Sequence, residues 1–140
     1  KNETIKLEGI VFQSVPANPN KPEITNTIHI TLTFTEAVTH DVYLIGPFCN
    51  WAKDENAKFT ASADNKTFTL TVTYVSKGTE FECKINDGTW DWNYGSSDKG
   101  VTWVINGSDN CKAEITGEAS ADNTRTVEWT WTIDNTPAAE

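Results

Sequence analysis

Apolar and polar side chains alternate along several segments of this chain, and this alternation limits the folds that are open to it. In residues 28–35 every second side chain is a large apolar one, and the others are threonines and one histidine. The same period-two pattern recurs in residues 67–74, 81–86 and 127–133. Such alternation is typical of a β-strand with one buried and one exposed face. These segments therefore predict strands of sheets that are packed on one side only.

Further short strands, separated by turn signals, are expected in the rest of the chain. Short strands are expected at residues 42–45, 101–105 and 111–115, which are bounded by Gly, Pro, Asn or Asp. A strand expected at residues 5–12 precedes a proline-rich run that cannot enter the interior of a sheet. No segment shows the periodicity of an amphipathic helix. Eight or nine short strands predict an all-β fold, an immunoglobulin-like antiparallel β-sandwich, as a single domain over residues 1–140.

The charge balance makes several classes of partner poor candidates. The chain has 140 residues and a formal net charge of -9, so nucleic acid and anionic membrane surfaces are poor ligands. No apolar run approaches the roughly 18 residues that a membrane-spanning helix requires, so membrane insertion is not expected. Cys49, Cys83 and Cys111 show no zinc-ligand spacing, and neither a metal nor another cofactor is expected. The sequence is equally compatible with one disulfide plus one thiol and with three thiols.

The densest group of aromatic side chains lies in residues 87–95. Trp90, Trp92 and Tyr94 fall at every second position, with an aspartate and an asparagine between them. If this segment is extended, the three rings share one side. Aromatic faces beside carboxylates and amides suit a sugar, because the rings contact its C–H groups and the polar groups bind its hydroxyls. The alternative is that the rings fill the core, although Asp-Gly and Tyr-Gly turn signals place the group at a strand end or in a loop.

Two motifs in the middle of the chain resemble those of a known family. Residues 46–51 have the pattern Gly-x-Phe-x-x-Trp, and residues 81–84 (Phe-Glu-Cys-Lys) lead to Trp-Asp-Trp-Asn-Tyr-Gly at residues 90–95. Over residues 42–94 the chain resembles the starch- and glycogen-binding carbohydrate-binding modules of amylopullulanases and the starch-binding domains of SusE- and SusF-like outer-membrane lipoproteins. The resemblance implies an immunoglobulin-like sandwich that binds α-glucan (starch, glycogen or maltooligosaccharide) without catalysis. It also implies an extracellular or cell-surface location, with neighbouring modules of the same polypeptide or complex as possible partners.

The resemblance also implies which residues bind the glucan. Trp51 and Trp90 correspond to the two platform tryptophans of the family, and Lys84 corresponds to its sugar-facing lysine. Asn93 matches the asparagine of the family's aromatic loop, which binds sugar hydroxyls. Trp92 stands where the family often has a polar residue, so it either enlarges the platform or replaces Trp90 in it.

The chain departs from the family pattern near this site. Cys83 stands where many members have an aromatic residue, and the connection from its strand to the aromatic loop is one residue shorter. Glu82 lies on the same predicted face as Lys84 and competes with it for the sugar-facing role.

Two other functions are compatible with the same strands. An immunoglobulin-like spacer or adhesin module without sugar affinity explains every strand and leaves only the aromatic loop without a role. An enzyme is the least favoured, because a glycosidase needs two carboxylates opposed across a cleft and no Ser-His-Asp arrangement is recognisable. His29 has outward parity and is expected to face solvent, whereas Trp129 and Trp131 have inward parity and are expected in the core.

Overall fold

The computed structural model describes residues 22–97 and 102–137. Within them the chain forms nine β-strands and two short 3-10 helices. The strands are β1 (Ile24–Phe34), β2 (Tyr43–Ile45), β3 (Thr60–Ala61), β4 (Thr67–Ser76), β5 (Glu80–Asn86), β6 (Asn93–Ser96), β7 (Trp103–Ile105), β8 (Cys111–Glu114) and β9 (Thr124–Ile133). The 3-10 helices are Pro47–Cys49 and Glu55–Ala57. The strand expected at residues 5–12 lies outside the described residues and stays a prediction.

One sheet contains the three longest strands and has the order β3-β4-β1-β9. β1 pairs antiparallel with β4, with His29 opposite Thr71. β1 also pairs with β9, with His29 opposite Glu128, but these two strands run parallel. A parallel pair requires a long connection between its strands, and here that connection passes through all the other described strands. The prediction of antiparallel pairing therefore holds within the described residues except for this one pair.

The other sheet has the order β2-β5-β6-β7, and β8 also pairs with β5. The two ends of β5 have different neighbours, because its first half pairs with β8 and its last two residues pair with β6. The last residue of β6 no longer pairs with β5 but with the chain just before β8. Ser96 and Asp109 exchange two backbone hydrogen bonds of 2.8 and 2.9 Å. The segment between β7 and β8 is thereby held against β6.

The core lies between the two sheets and consists of the inward-facing side chains of their strands. Buried apolar side chains come from both sheets, including Ile28 from β1 and Phe81 from β5. Trp131 is buried and its ring lies 5.2 Å from that of Trp103, which joins β9 to β7. Trp129 is half-buried and packs against the same cluster. The core assignment of these two β9 tryptophans is confirmed, and so is the all-β sandwich.

The remaining fold expectations have mixed outcomes. His29 is exposed, as its parity predicts, and its ring lies 2.8 Å from the hydroxyl of Thr71. No disulfide joins the cysteines of the described residues, and Cys83 lies opposite Cys111 across the β5–β8 pair. That the whole of residues 1–140 forms a single domain stays a prediction.

Candidate functional site

The aromatic segment begins with a tight turn, residues 87–92, which we call the Trp90 turn. The carboxylate of Asp87 accepts hydrogen bonds from the backbone and the hydroxyl of Thr89, at 2.9 and 2.6 Å. The hydroxyl bond is the main reason why the pKa of Asp87 lies below its ordinary value. The backbone N–H of Asp87 donates to the carbonyl of Trp92 at 3.2 Å, and Gly88 takes a φ of 98° that favours glycine. Side-chain to backbone bonds of this kind compete with strand pairing and close a turn instead.

Because this segment is a turn, the prediction that its three aromatic rings share one side is wrong. The side chain of Trp90 is 51% exposed, whereas Tyr94 in β6 is buried. Trp92 is half-buried, with its ring centroid 4.4 Å from that of His40 and 5.3 Å from that of Tyr94. It packs against the core beneath the turn. The structure therefore does not support the alternative in which Trp92 replaces Trp90 as the exposed ring.

Lys84 lies beside Trp90 on the outward face of β5. Its neighbours Cys83 and Ile85 point into the core, so its own side chain leaves the sheet on the other side. The ammonium group lies 5.8 Å from the centroid of the Trp90 ring, within the range of a cation–π contact. It also donates a 2.9 Å hydrogen bond to the carbonyl of Gly107. Lys84 therefore covers part of the Trp90 ring while it is anchored to the β7–β8 connection.

Asn93 is turned inward, in contrast to the solvent-facing role that the resemblance implies. It is 8% exposed, and its amide nitrogen donates to the carbonyl of Trp90 at 3.0 Å and to Oδ1 of Asn106 at 3.1 Å. These two bonds use both hydrogens of the amide group. In this structure Asn93 holds the Trp90 turn in place instead of presenting donors to solvent.

Trp51 belongs to a second turn, residues 46–53, which we call the Trp51 turn. A Cβ atom on Gly46 would lie 2.8 Å from the carbonyl oxygen of Glu82, so only glycine allows this turn to approach β5 so closely. After the first 3-10 helix, Asn50 and Trp51 take φ angles of 56° and 59°. A bulky residue with positive φ is a conformational outlier that costs about 1–2 kcal/mol. The result is an indole side chain that is 38% exposed.

The two turns meet at the same end of β5. Ile45, the last residue of β2, is opposite Lys84 in the β2–β5 pair. Gly46 follows Ile45, and its carbonyl accepts a 2.9 Å hydrogen bond from the backbone N–H of Trp51. A Cβ atom on Gly88 would lie 3.1 Å from Cδ of Lys53, so the Trp51 turn and the Trp90 turn are in contact. Two exposed tryptophans therefore come from turns that contact each other, and Lys84 lies beside one of them, Trp90.

A third segment, residues 106–110, completes this surface; we call it the Asn106 loop. It passes so close to β6 that a Cβ atom on Gly95 would lie 2.7 Å from the carbonyl oxygen of Gly107. It accepts the hydrogen bonds from Lys84 and Asn93 that are described above. In the sequence, Asn106-Gly107 is a turn signal between two short strands. Nothing in the local pattern indicated that this turn would fold back across β6.

A buried tyrosine supports the base of the Trp51 turn. The hydroxyl of Tyr43 donates a 2.8 Å hydrogen bond to Oε2 of Glu55. This bond stabilises the neutral phenol, and with burial and the nearby carboxylate charges it raises the pKa of Tyr43 to about 12. The same bond lowers the pKa of Glu55. The ammonium of Lys53 lies 5.6 Å from the centroid of the Tyr43 ring.

In residues 22–97 and 102–137, no group of three or more His, Cys, Asp or Glu side chains is arranged to hold a metal ion. In the same part of the chain, no helix has the length and apolar character needed to cross a membrane.

Comparisons with known proteins give little to set beside this geometry. No protein family and no curated protein matches the chain. One solved structure that is similar to it is the glycoside hydrolase family 15 glucoamylase from Hypocrea jecorina, with a TM-score of 0.41 and 16% sequence identity. The match covers 89% of this chain but only 19% of the glucoamylase chain.

Proposed function

We propose that this domain binds α-glucan without catalysis, and that Trp51 and Trp90 form its binding surface. One observation carries the proposal: two tryptophans from turns that contact each other are 38% and 51% exposed, and Lys84 lies beside one of them, Trp90. Large aromatic side chains bury much apolar area in cores and interfaces. Two tryptophans that stay exposed in contacting turns therefore indicate a surface that binds a ligand. A glucan chain offers apolar ring faces at regular intervals and can lie against both indoles.

The polar residues near the rings act mainly as supports in this proposal. Asn93 orients the Trp90 turn, and Lys84 uses one ammonium hydrogen on Gly107 while the others stay available for a sugar hydroxyl. The net charge of -9 does not oppose a neutral ligand. Two stacked rings with a few hydrogen bonds give a dissociation constant of about 10⁻³ to 10⁻⁵ M, and neighbouring modules would raise the overall avidity.

Affinity electrophoresis in gels that contain glycogen or amylopectin tests the proposal. The wild-type protein should be retarded relative to a gel without polysaccharide, and Trp90→Ala and Trp51→Ala should each weaken retention by about tenfold, or 1.4 kcal/mol. Val75→Ala is the matched control, because Val75 is also exposed but lies in β4, which belongs to the other sheet. Thermal unfolding of each variant checks that the fold is kept. Unchanged retention in both tryptophan variants would contradict the proposal.

The second candidate is a structural spacer or adhesin module with no sugar affinity. One observation favours it: Trp92, Trp103, Trp129 and Trp131 all pack in or against the core, so the high tryptophan content alone does not require a ligand. Intrinsic tryptophan fluorescence separates the two functions. A saturable change on addition of maltoheptaose supports glucan binding, and no change with maltoheptaose, starch, glycogen or other glycans supports the spacer.

We also propose that the domain has no hydrolytic activity and that it works outside the cell or at the cell surface. Release of reducing sugar from soluble starch should not exceed that of a Trp90→Ala control. Protease treatment of intact cells that produce the protein should remove it if it lies on the surface, and survival of the protein would argue for an internal location.

A further inference from the structure

We infer that Asn106, and not Asn93, supplies the side-chain amide that donates a hydrogen bond to a sugar stacked on Trp90. The inference rests on the proposed glucan binding and assigns a hydroxyl-binding residue within that site. Its first support is position. The carbonyl oxygen of Trp90 and Oδ1 of Asn106 both lie within 3.1 Å of the same nitrogen, Nδ2 of Asn93. The Asn106 amide is therefore next to the Trp90 turn, although Trp90 and Asn106 are 16 positions apart in the sequence.

The second support is orientation. Oδ1 of Asn106 accepts from the buried Asn93, so the oxygen side of its amide faces the protein. The oxygen and nitrogen of a planar amide diverge from one shared carbon, so Nδ2 of Asn106 is directed elsewhere than the Asn93 amide nitrogen that Oδ1 contacts. Asn106 is exposed, and among the described residues no acceptor for its Nδ2 hydrogens is seen. The two N–H donors of the Asn106 amide are thus held in a fixed position next to the Trp90 turn.

The third support is backbone rigidity. The N–H of Asn106 donates to the carbonyl of Asn93 at 2.9 Å, and the N–H of Gly107 donates to the carbonyl of Val104 at 3.1 Å. Asn106 itself has a φ of 56°, a conformation that asparagine tolerates better than most residues. Backbone and side chain are both held, so little entropy is lost when the amide binds a ligand.

The chemistry of the group selects the ligand. An amide N–H₂ donates to an uncharged hydroxyl or ring oxygen and adds no charge to the site. The neighbouring Trp90 face requires a ligand with an apolar ring surface. Together they fit a neutral pyranose whose hydroxyl oxygen projects past the edge of the indole.

Asn106→Asp isolates this role. Aspartate keeps an oxygen for Asn93 and tolerates the same backbone conformation, but it replaces the two outward N–H donors with an acceptor. Loss of one hydrogen bond of ordinary strength should weaken maltoheptaose binding three- to tenfold, on the order of 0.5–1.5 kcal/mol, with an unchanged unfolding midpoint. Ser108→Asp is the charge control, because Ser108 is exposed in the same loop and the variant carries the same added charge with the Asn106 amide intact.

Asn106→Gly provides a second variant, since glycine accepts the positive φ and removes the amide completely. Both Asn106 variants should bind more weakly than wild type, while Ser108→Asp binds normally. If wild type binds maltoheptaose and both Asn106 variants bind equally well, the inference is overturned and the proposed glucan binding stands. If wild type does not bind at all, the proposed function itself fails.

Discussion

Replacement of Gly95 by alanine tests whether close packing of the Asn106 loop on β6 holds the site together. The added Cβ atom would lie 2.6 Å from the carbonyl oxygen of Asp109, 2.7 Å from that of Gly107 and 2.9 Å from Cε of Lys84. Two of these atoms belong to the backbone and cannot move by a change of rotamer. The loop must therefore lift from the sheet, which strains the Lys84–Gly107 bond and the two backbone bonds between Ser96 and Asp109.

The expected cost combines two terms. Insertion of a methyl group into a well-packed region costs roughly 1–3 kcal/mol, and the hydrogen bonds, which are strained but not lost, together add about 1 kcal/mol. We therefore expect Gly95→Ala to lower the free energy of unfolding by about 3 kcal/mol, which for a domain of this size lowers the unfolding midpoint by roughly 10 °C. Because the Asn106 loop supports Trp90, glucan retention should also fall.

Urea denaturation with linear extrapolation measures the effect. Gly78→Ala is the matched control, since no atom of the described structure lies within 4 Å of its added Cβ position, and its stability should stay within about 0.5 kcal/mol of wild type. Equal stability of the two variants would show that the Asn106 loop is not packed on β6 as described.

Three further predictions follow from the same structure. Trp51→Gly should be more stable than Trp51→Ala by about 1 kcal/mol in urea denaturation, because only glycine accepts the positive φ without strain; equal stability would mean that the turn is unstrained. The pKa of Tyr43 is raised to about 12 from 10.0, so its contribution to stability is complete below pH 10 and is lost as the pH rises toward 12. In urea denaturation the stability advantage of wild type over Tyr43→Phe should shrink across that range, and a constant difference would argue against the bond to Glu55. Finally, Cys49 is half-buried and Cys83 is buried with a raised pKa caused mainly by desolvation; maleimide should modify Cys49 in the folded protein and reach Cys83 only in denaturant, as peptide mapping would reveal.

Local patterns in the sequence were sufficient for the strands and for the direction of most side chains. The alternation in β1, β4 and β9 predicted their buried faces, and it correctly placed Trp131 inside and His29 outside. This works because a strand has a strict side-chain period of two, so one inward residue determines the parity of all the others. The β1–β9 pair was not predicted as parallel, because strand order depends on how the whole chain is connected and not on any one segment.

The candidate site followed from the sequence only in part. Turn-forming residues around Trp51 and Trp90 indicated that both rings would leave the sheets, and both are exposed. The resemblance to starch-binding modules implied that Asn93 would face a sugar at the surface. Asn93 is buried because Trp90 and Asn106 together accept both of its amide hydrogens, and Asn106 reaches this place only after two intervening strands have formed.

The sequence by itself determined that this chain forms strands, which faces of them are apolar, and where two tryptophans lie in turns. Only the tertiary structure decided that those turns adjoin at Lys84 and that the Asn106 loop closes over β6 beside them. The physical reason is the range of the interactions. Side-chain parity and turn formation depend on a few neighbouring residues, whereas the bond from Lys84 to Gly107 joins residues 23 positions apart and exists only when β5, β6 and the β7–β8 connection are packed together.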